Sequence, residues 1–237
     1  MPGIESVGAG LIVAIVAAIL HLDRIVVFQT LFHRPVFLAP ACGLISGQWE
    51  LSVWVALVTE FASLLVPPTG TDLPLDESGW AAVTMTGLAF ARVEHPAQAV
   101  FVLGLAALGL PVLRNMDIWI RNANGRLARQ AVAQAKAGRK VPFKRLVAAT
   151  AAGQTFVYGL MYSFSGALIA GAIWMLERMN PVVVESLWFP TALVVAVTPM
   201  WMTGRSQTTR SLTLWLRMLL WACGTVLATM GVTLWLD

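Results

Sequence analysis

The stretch Glu60-Phe-Ala-Ser-Leu-Leu-Val-Pro-Pro-Thr-Gly-Thr-Asp-Leu-Pro-Leu-Asp76 limits the possible folds of this chain more than any other segment. An apolar run from Leu51 to Leu57 leads into the carboxylate of Glu60. After a further apolar run the backbone turns irregular at Pro67, Pro68, Gly70 and Pro74, with Asp72 and Asp76 beside them. In water this would be a helix followed by a polar loop. In hydrocarbon, backbone broken by Pro and Gly must be buried in protein or line a wet cavity. An acid inside such a segment marks a functional site by default.

Composition decides between the two solvents. Of 237 residues, 58% are hydrophobic and only 12% are charged, whereas soluble domains run near a quarter charged. The expected fold class is an all-α integral membrane protein, with multi-pass helices and broken or re-entrant segments in its N-terminal half. The formal charge of +4 does not indicate a nucleic-acid partner, because the cations are concentrated in one place. Arg114, Arg121, Arg126, Arg129, Lys136, Arg139, Lys140, Lys144 and Arg145 lie between two apolar blocks, opposed only by Asp117. This is the positive-inside pattern of a cytoplasmic loop, with attraction to anionic lipid headgroups as a secondary property. Three regions follow: a membrane region over 1–113 containing the broken loop, a basic cytoplasmic loop over 114–145, and a second membrane region over 146–237. Cys42 and Cys223 both sit in apolar surroundings and read as small buried hydrophobes. The N-terminus lacks the positive n-region of a cleaved signal peptide, so the first apolar run is expected to be retained.

Val7 to Leu22 is apolar but ends at Asp23-Arg24, short of the roughly 20 residues a span needs. The helix either continues with that pair facing inward or breaks there. Gly43-Leu-Ile-Ser-Gly47 has the G-x-x-x-G spacing that permits close helix approach. Ala97 to Leu113 is more continuous, and Ala, Arg and Gln over 121–137 favour a surface helix capped near Gly138. Leu146 to Leu176 spans with tilt or a break, punctuated by Gly153, Gly159, Gly166 and Gly171. The total is six to eight membrane segments. Short helices broken by Gly and Pro suit a transporter, which uses them to place backbone dipoles at mid-membrane.

Three stretches together resemble the enzyme IIC subunit of the mannose/fructose/sorbose family of the sugar phosphotransferase system. Asp23-Arg24, Phe28-Gln29-Thr30 and Arg34-Pro35 resemble the family's early segment. Gly43-Leu-Ile-Ser-Gly47 is similar to its Gly-Leu-x-x-Gly-Asp, with Gln48 where the acid often stands. Glu60, Gly70, Pro74 and Asp76 fall in register with its Glu helix and proline-rich loop, and Arg121-Asn122-Ala-Asn124 resembles the opening of its basic loop. Departures from the pattern are Gln48, Leu65, Thr71 and Leu75. The likeness covers roughly residues 8–145 and is only hydropathic beyond residue 150.

The resemblance implies a sugar permease subunit of the bacterial cytoplasmic (inner) membrane. It would pair with a IID-type membrane subunit, in a homotrimeric or hetero-oligomeric assembly, and translocate a hexose or related sugar. Phosphate would pass from phosphoenolpyruvate through histidines of IIA and IIB phosphocarrier subunits, with no phosphorylation site and no cofactor on this chain. The alternative, motivated by the departures, is a degenerate family member acting as a non-transporting assembly or regulatory subunit.

Sugar recognition needs groups that replace water at several hydroxyls. Glu60 either accepts a hydroxyl or is a structural carboxylate paired with Arg34 or Arg24. Asp76 and Asp72 either bind sugar from the loop tip or are solvated turn residues. Gly70 and Thr71 can bring backbone amides to a ligand, and Gln29 supplies either a ligand contact or an interhelix bond. Arg34, Pro74, Gly43 and Gly47 are structural or gating candidates. His21, His33 and His95 show no metal-ligand spacing, and Asn122 and Asn124 read as caps or loop residues near the IIB-facing side. The ten Trp read as interfacial anchors and lipid-facing bulk.

Overall fold

The computed structural model describes residues 4–24, 30–64, 76–93 and 95–179. Gln29, Gly70, Thr71, Asp72 and Pro74 lie outside the described residues, as do Leu65, Leu75 and Cys223. Among the described residues the fold is all-α, with no strand. Its helices are α1 (Ile4–His21), α2 (Pro35–Ser46), α3 (Trp49–Leu64), α4 (Glu77–Ala91), α5 (Pro96–Leu108), α6 (Leu110–Lys136) and α7 (Phe143–Met179).

Helix α4 is the centre. Every residue from Glu77 to Phe90 is buried, with α1, α2, α3, α5 and α7 packed around it. Its sequence suits that position: small residues fill most of its surface, and the hydroxyls of Thr84 and Thr86 donate to Trp80 O and Ala82 O. The helix therefore brings no unsatisfied hydroxyl from these threonines into the interior. Trp80 is fully buried and its Nε1 donates to Leu103 O at 3.0 Å, tying α4 to α5. Trp54 is buried as well. These two tryptophans are core residues, unlike the interfacial role expected for them, whereas Trp49 and Trp119 are exposed.

Close approach to α4 is made by glycine. A Cβ on Gly10 of α1 would sit 2.5 Å from the Phe90 ring, and one on Gly166 of α7 would sit 2.6 Å from the Thr86 side chain. Phe90 meets Gly10 at one end, and Asp76 meets Arg24 at the other, so α1 runs antiparallel to α4. The outer faces are apolar and exposed: Leu11, Ile12, Ile15 and Ile19 on α1, and Phe156, Leu160, Phe164 and Leu168 on α7. Such stripes belong against lipid tails, and α1 and α7 are long and apolar enough to cross a membrane.

Local sequence sets the breaks. Helix α1 stops at His21 and a 3-10 turn, Leu22–Arg24, carries Asp23 and Arg24 inward. Thus the chain breaks there, burying Asp23 and turning in the Arg24 side chain, which is 9% exposed. Pro35 opens α2 after Arg34 in an extended conformation. The continuous run expected over Ala97 to Leu113 is bent by 46° between α5 and α6. Pro111, in the first turn of α6, lacks the amide that would continue the helix and crowds the preceding turn. Helix α6 then runs on through the basic residues to Lys136, longer than the surface helix expected over 121–137. Helix α7 is continuous over 37 residues despite its glycines.

Candidate functional site

Three acids and two arginines meet where α1, α2, α3 and α4 end. Asp76 is the N-cap of α4, its Oδ1 accepting from Gly79 N at 3.0 Å. The same oxygen takes the guanidinium of Arg24. Asp76 is buried, not a solvated turn residue. Arg34, immediately before α2, reaches Glu60 of α3 at 3.2 Å and Glu77 of α4 at 3.7 Å. One cation therefore joins three helices. Asp23 organises the return into α2, accepting from Thr30 N at 2.9 Å and Thr30 Oγ1 at 3.0 Å, with His33 Nδ1 3.4 Å away.

A second group of polar side chains lies beside the first, between α1, α6 and α7. Asp117 is 3% exposed although it falls in the basic stretch. It accepts from Arg121 Nε at 2.9 Å and from the Tyr158 hydroxyl at 3.2 Å. The His21 ring lies 4.3 Å from the Tyr158 ring and 6.1 Å from that of Tyr162, centroid to centroid. Tyr158 bonds Asp117 and packs on His21, and the turn after His21 carries Arg24 to Asp76, so the two groups adjoin through the end of α1. Gln154, Tyr158 and Tyr162 follow at four-residue spacing, so they share one face of α7.

The two groups differ in hydrogen bonding. The arginines Arg24, Arg34 and Arg121 each meet a carboxylate. Both ring nitrogens of His21, both amide atoms of Gln154, the Tyr162 hydroxyl and Asp76 Oδ2 are buried with no hydrogen-bond partner among the described residues. Each such group costs about 1–3 kcal/mol relative to a satisfied one. Among the described residues no His, Cys, Asp and Glu side chains converge as a metal site.

The other candidates are placed as follows. Gly43 lets α2 approach α3, since a Cβ there would collide with the Ser52 side chain. Gly47, at φ +74°, ends α2 in the left-handed conformation, with open space around it. The close-packing half of the G-x-x-x-G spacing is thus Gly43 alone. Gln48 Nε2 donates to Leu88 O and Val93 O at the C-terminus of α4, two bonds a carboxylate in its place could not donate. Cys42 is buried. Asn122 and Asn124 lie on α6, and His95 is the residue before α5. His21, Asp117, Tyr158, Tyr162, Gln154 and Glu77 were not among the sequence candidates for the site. The available signal was the spacing of Gln154, Tyr158 and Tyr162, the last two being the only tyrosines in the chain.

This arrangement defines an all-α integral membrane protein whose buried polar residues gather at the ends of short, broken helices. No protein-family model and no curated protein matches the chain. Solved structures do, among them the following two. One, described as the structure of a membrane protein, has a TM-score of 0.54 at 16% identity, covering 98% of this chain and 96% of that one. The other is the cryo-EM structure of the mannose transporter ManYZ in complex with microcin E492 (MceA). Its TM-score is 0.50 at 16% identity, covering 96% of this chain and 94% of that one. The chain therefore has the fold of a mannose-transporter chain, in agreement with the fold implied by the sequence resemblance.

Proposed function

We propose that this chain is a IIC-like permease subunit of a phosphoenolpyruvate-dependent sugar phosphotransferase system in a bacterial inner membrane. It provides the translocation pathway and sugar-binding groups together with a IID-type subunit. IIA and IIB subunits supply the phosphate, and the basic segment 114–145 faces them in the cytoplasm. The observation that carries this reading is the convergence of Glu60, Asp76 and Glu77 with Arg24 and Arg34 at broken helix ends. Buried charge is costly in a membrane protein and is kept where polar cargo must be met. The mannose-transporter fold supports the reading independently.

The mechanism requires little chemistry of this chain. Asp76 Oδ2 and the carboxylate of Glu60 are acceptors for sugar hydroxyls, with Arg24 and Arg34 pairing with the two acids and orienting them. The permease binds sugar from one side and releases it to the phosphorylating partners on the other. The test is uptake of labelled hexoses by cells lacking their own mannose-type permease and expressing this chain with IID, IIA and IIB partners. Phosphorylated sugar should accumulate, and Glu60→Gln should abolish it while leaving the membrane complex assembled. An assembled complex with no uptake would assign the chain to the non-transporting role.

A further inference from the structure

The neutral face formed by His21, Gln154 and Tyr162 is not used by the ion pairs that organise the site. All three side chains are nine-tenths or more buried: His21 and Tyr162 are 0% exposed and Gln154 is 4% exposed. Their polar atoms have no hydrogen-bond partner among the described residues. Tyr158 lies among them and differs in one respect, its hydroxyl being bound to Asp117. Buried polar groups are nearly always hydrogen-bonded, so a cluster left unmatched calls for a partner.

The chemistry of that ligand follows from what the face offers. Imidazole, amide and phenol each donate as well as accept, or do so according to tautomer. The rings of His21, Tyr158 and Tyr162, with centroids 4.3–6.1 Å apart, present aromatic surface beside those groups. The nearby cations Arg24 and Arg121 are already matched by Asp76 and Asp117. An anionic ligand would therefore meet a compensated site, while a hydroxyl can both donate to and accept from the neutral face. We infer that His21, Gln154 and Tyr162 form a binding subsite for an uncharged polyhydroxyl compound, the hydroxyl-bearing edge of a sugar ring or a polyol.

Access to the subsite requires α7 to move against α1. Beside the aromatic contact the helices meet through small residues: a Cβ on Gly159 would lie 3.8 Å from the Ala18 methyl. The His21 ring, 4.3 Å from that of Tyr158, has to slide over it as the helices part. The inference rests on the permease reading only in the choice of hexoses as first probes.

The experiment is equilibrium binding to the full chain in lipid nanodiscs, with radiolabelled mannose, glucose, mannitol, glucuronate and mannose 6-phosphate as probes. Wild type should bind one or more of the uncharged probes and neither charged one. Tyr162→Phe and Gln154→Met should each weaken that binding by about ten-fold, the effect of one lost hydrogen bond in a matched site. Because the Tyr162 hydroxyl has no hydrogen-bond partner among the described residues, Tyr162→Phe should leave the thermal midpoint unchanged or raised. A lowered midpoint would mark a structural hydroxyl and overturn the subsite. Hexose binding that is unchanged in both variants would also overturn it, and would leave the permease reading intact. Binding of mannitol without any hexose, lost in both variants, would keep the subsite and remove the permease reading. Binding of charged probes alone, or of none, would overturn the subsite.

Discussion

The charged and neutral halves of the buried site are built on opposite principles. Around Asp76, Glu60 and Asp117 each carboxylate meets a cation, although Asp76 Oδ2 itself has no hydrogen-bond partner among the described residues. Around His21, Gln154 and Tyr162, groups of lower desolvation cost are left unmatched. Physical chemistry permits this division and not its reverse. An unpaired ion in a low-dielectric interior costs several kcal/mol, whereas an unpaired neutral group costs about 1–3 kcal/mol. The charged half can thus act as the frame, and the neutral half can remain open to exchange its missing bonds for those of a ligand.

Removing one member of a charged pair should have the largest effect on the frame. Arg24→Leu leaves Asp76 without its counter-charge, and should lower stability by about 3–5 kcal/mol. Thermal unfolding of the solubilised chain would measure this. The double variant Arg24→Leu/Asp76→Leu should recover most of the loss, all but the roughly 1 kcal/mol contributed by the α4 N-cap. No recovery would mean that the pair is not the frame.

Packing comes next. Gly166→Ala places a methyl 2.6 Å from the Thr86 side chain and 3.1 Å from the Gly87 backbone nitrogen, separating α7 from α4. The expected cost is about 1–3 kcal/mol in the same assay, with binding weakened as the site widens. A variant as stable as wild type would show that the helices are held apart by other contacts.

The smallest effect sharpens the contrast between the two tyrosines. Tyr158→Phe removes a donor to Asp117 and should cost about 0.5–1.5 kcal/mol. It should leave polyol binding less affected than Tyr162→Phe does. Equal behaviour of the two variants in stability would erase the distinction between the frame and the open face.

How much of this was legible in the sequence depended on charge. Asp23, Arg24, Arg34, Glu60 and Asp76 stand out because ions are rare in apolar runs, and the structure brings them to neighbouring helix ends. The partners were less readable. Arg34 and Arg24 were equal candidates for Glu60, and only the three-dimensional arrangement gives Arg34 to Glu60 and Arg24 to Asp76. Asp117 was hidden by its surroundings, since an acid amid nine cations reads as a solvated counter-charge. The first turns of α6, however, still face the bundle, burying Asp117 and Ile120. Gln154, Tyr158 and Tyr162 were hidden for another reason: neutral polar residues at helical spacing barely change the hydropathy of a span. Their meaning depends on α1 placing His21 against them, a contact across more than 130 residues that local pattern does not encode. The bend after α5 was local and readable at Pro111, while the continuity of α7 past four glycines reflects tertiary packing overriding propensity.

The most direct test of the account is a cryo-EM map of the chain with the proposed IID-type subunit at saturating mannose, the sugar of the transporter whose fold it shares. The account predicts sugar density between α1, α4 and α7, within hydrogen-bond distance of Asp76 and of the His21–Tyr162 face. Density confined to another part of the complex, with these side chains packed as they are here, would contradict it.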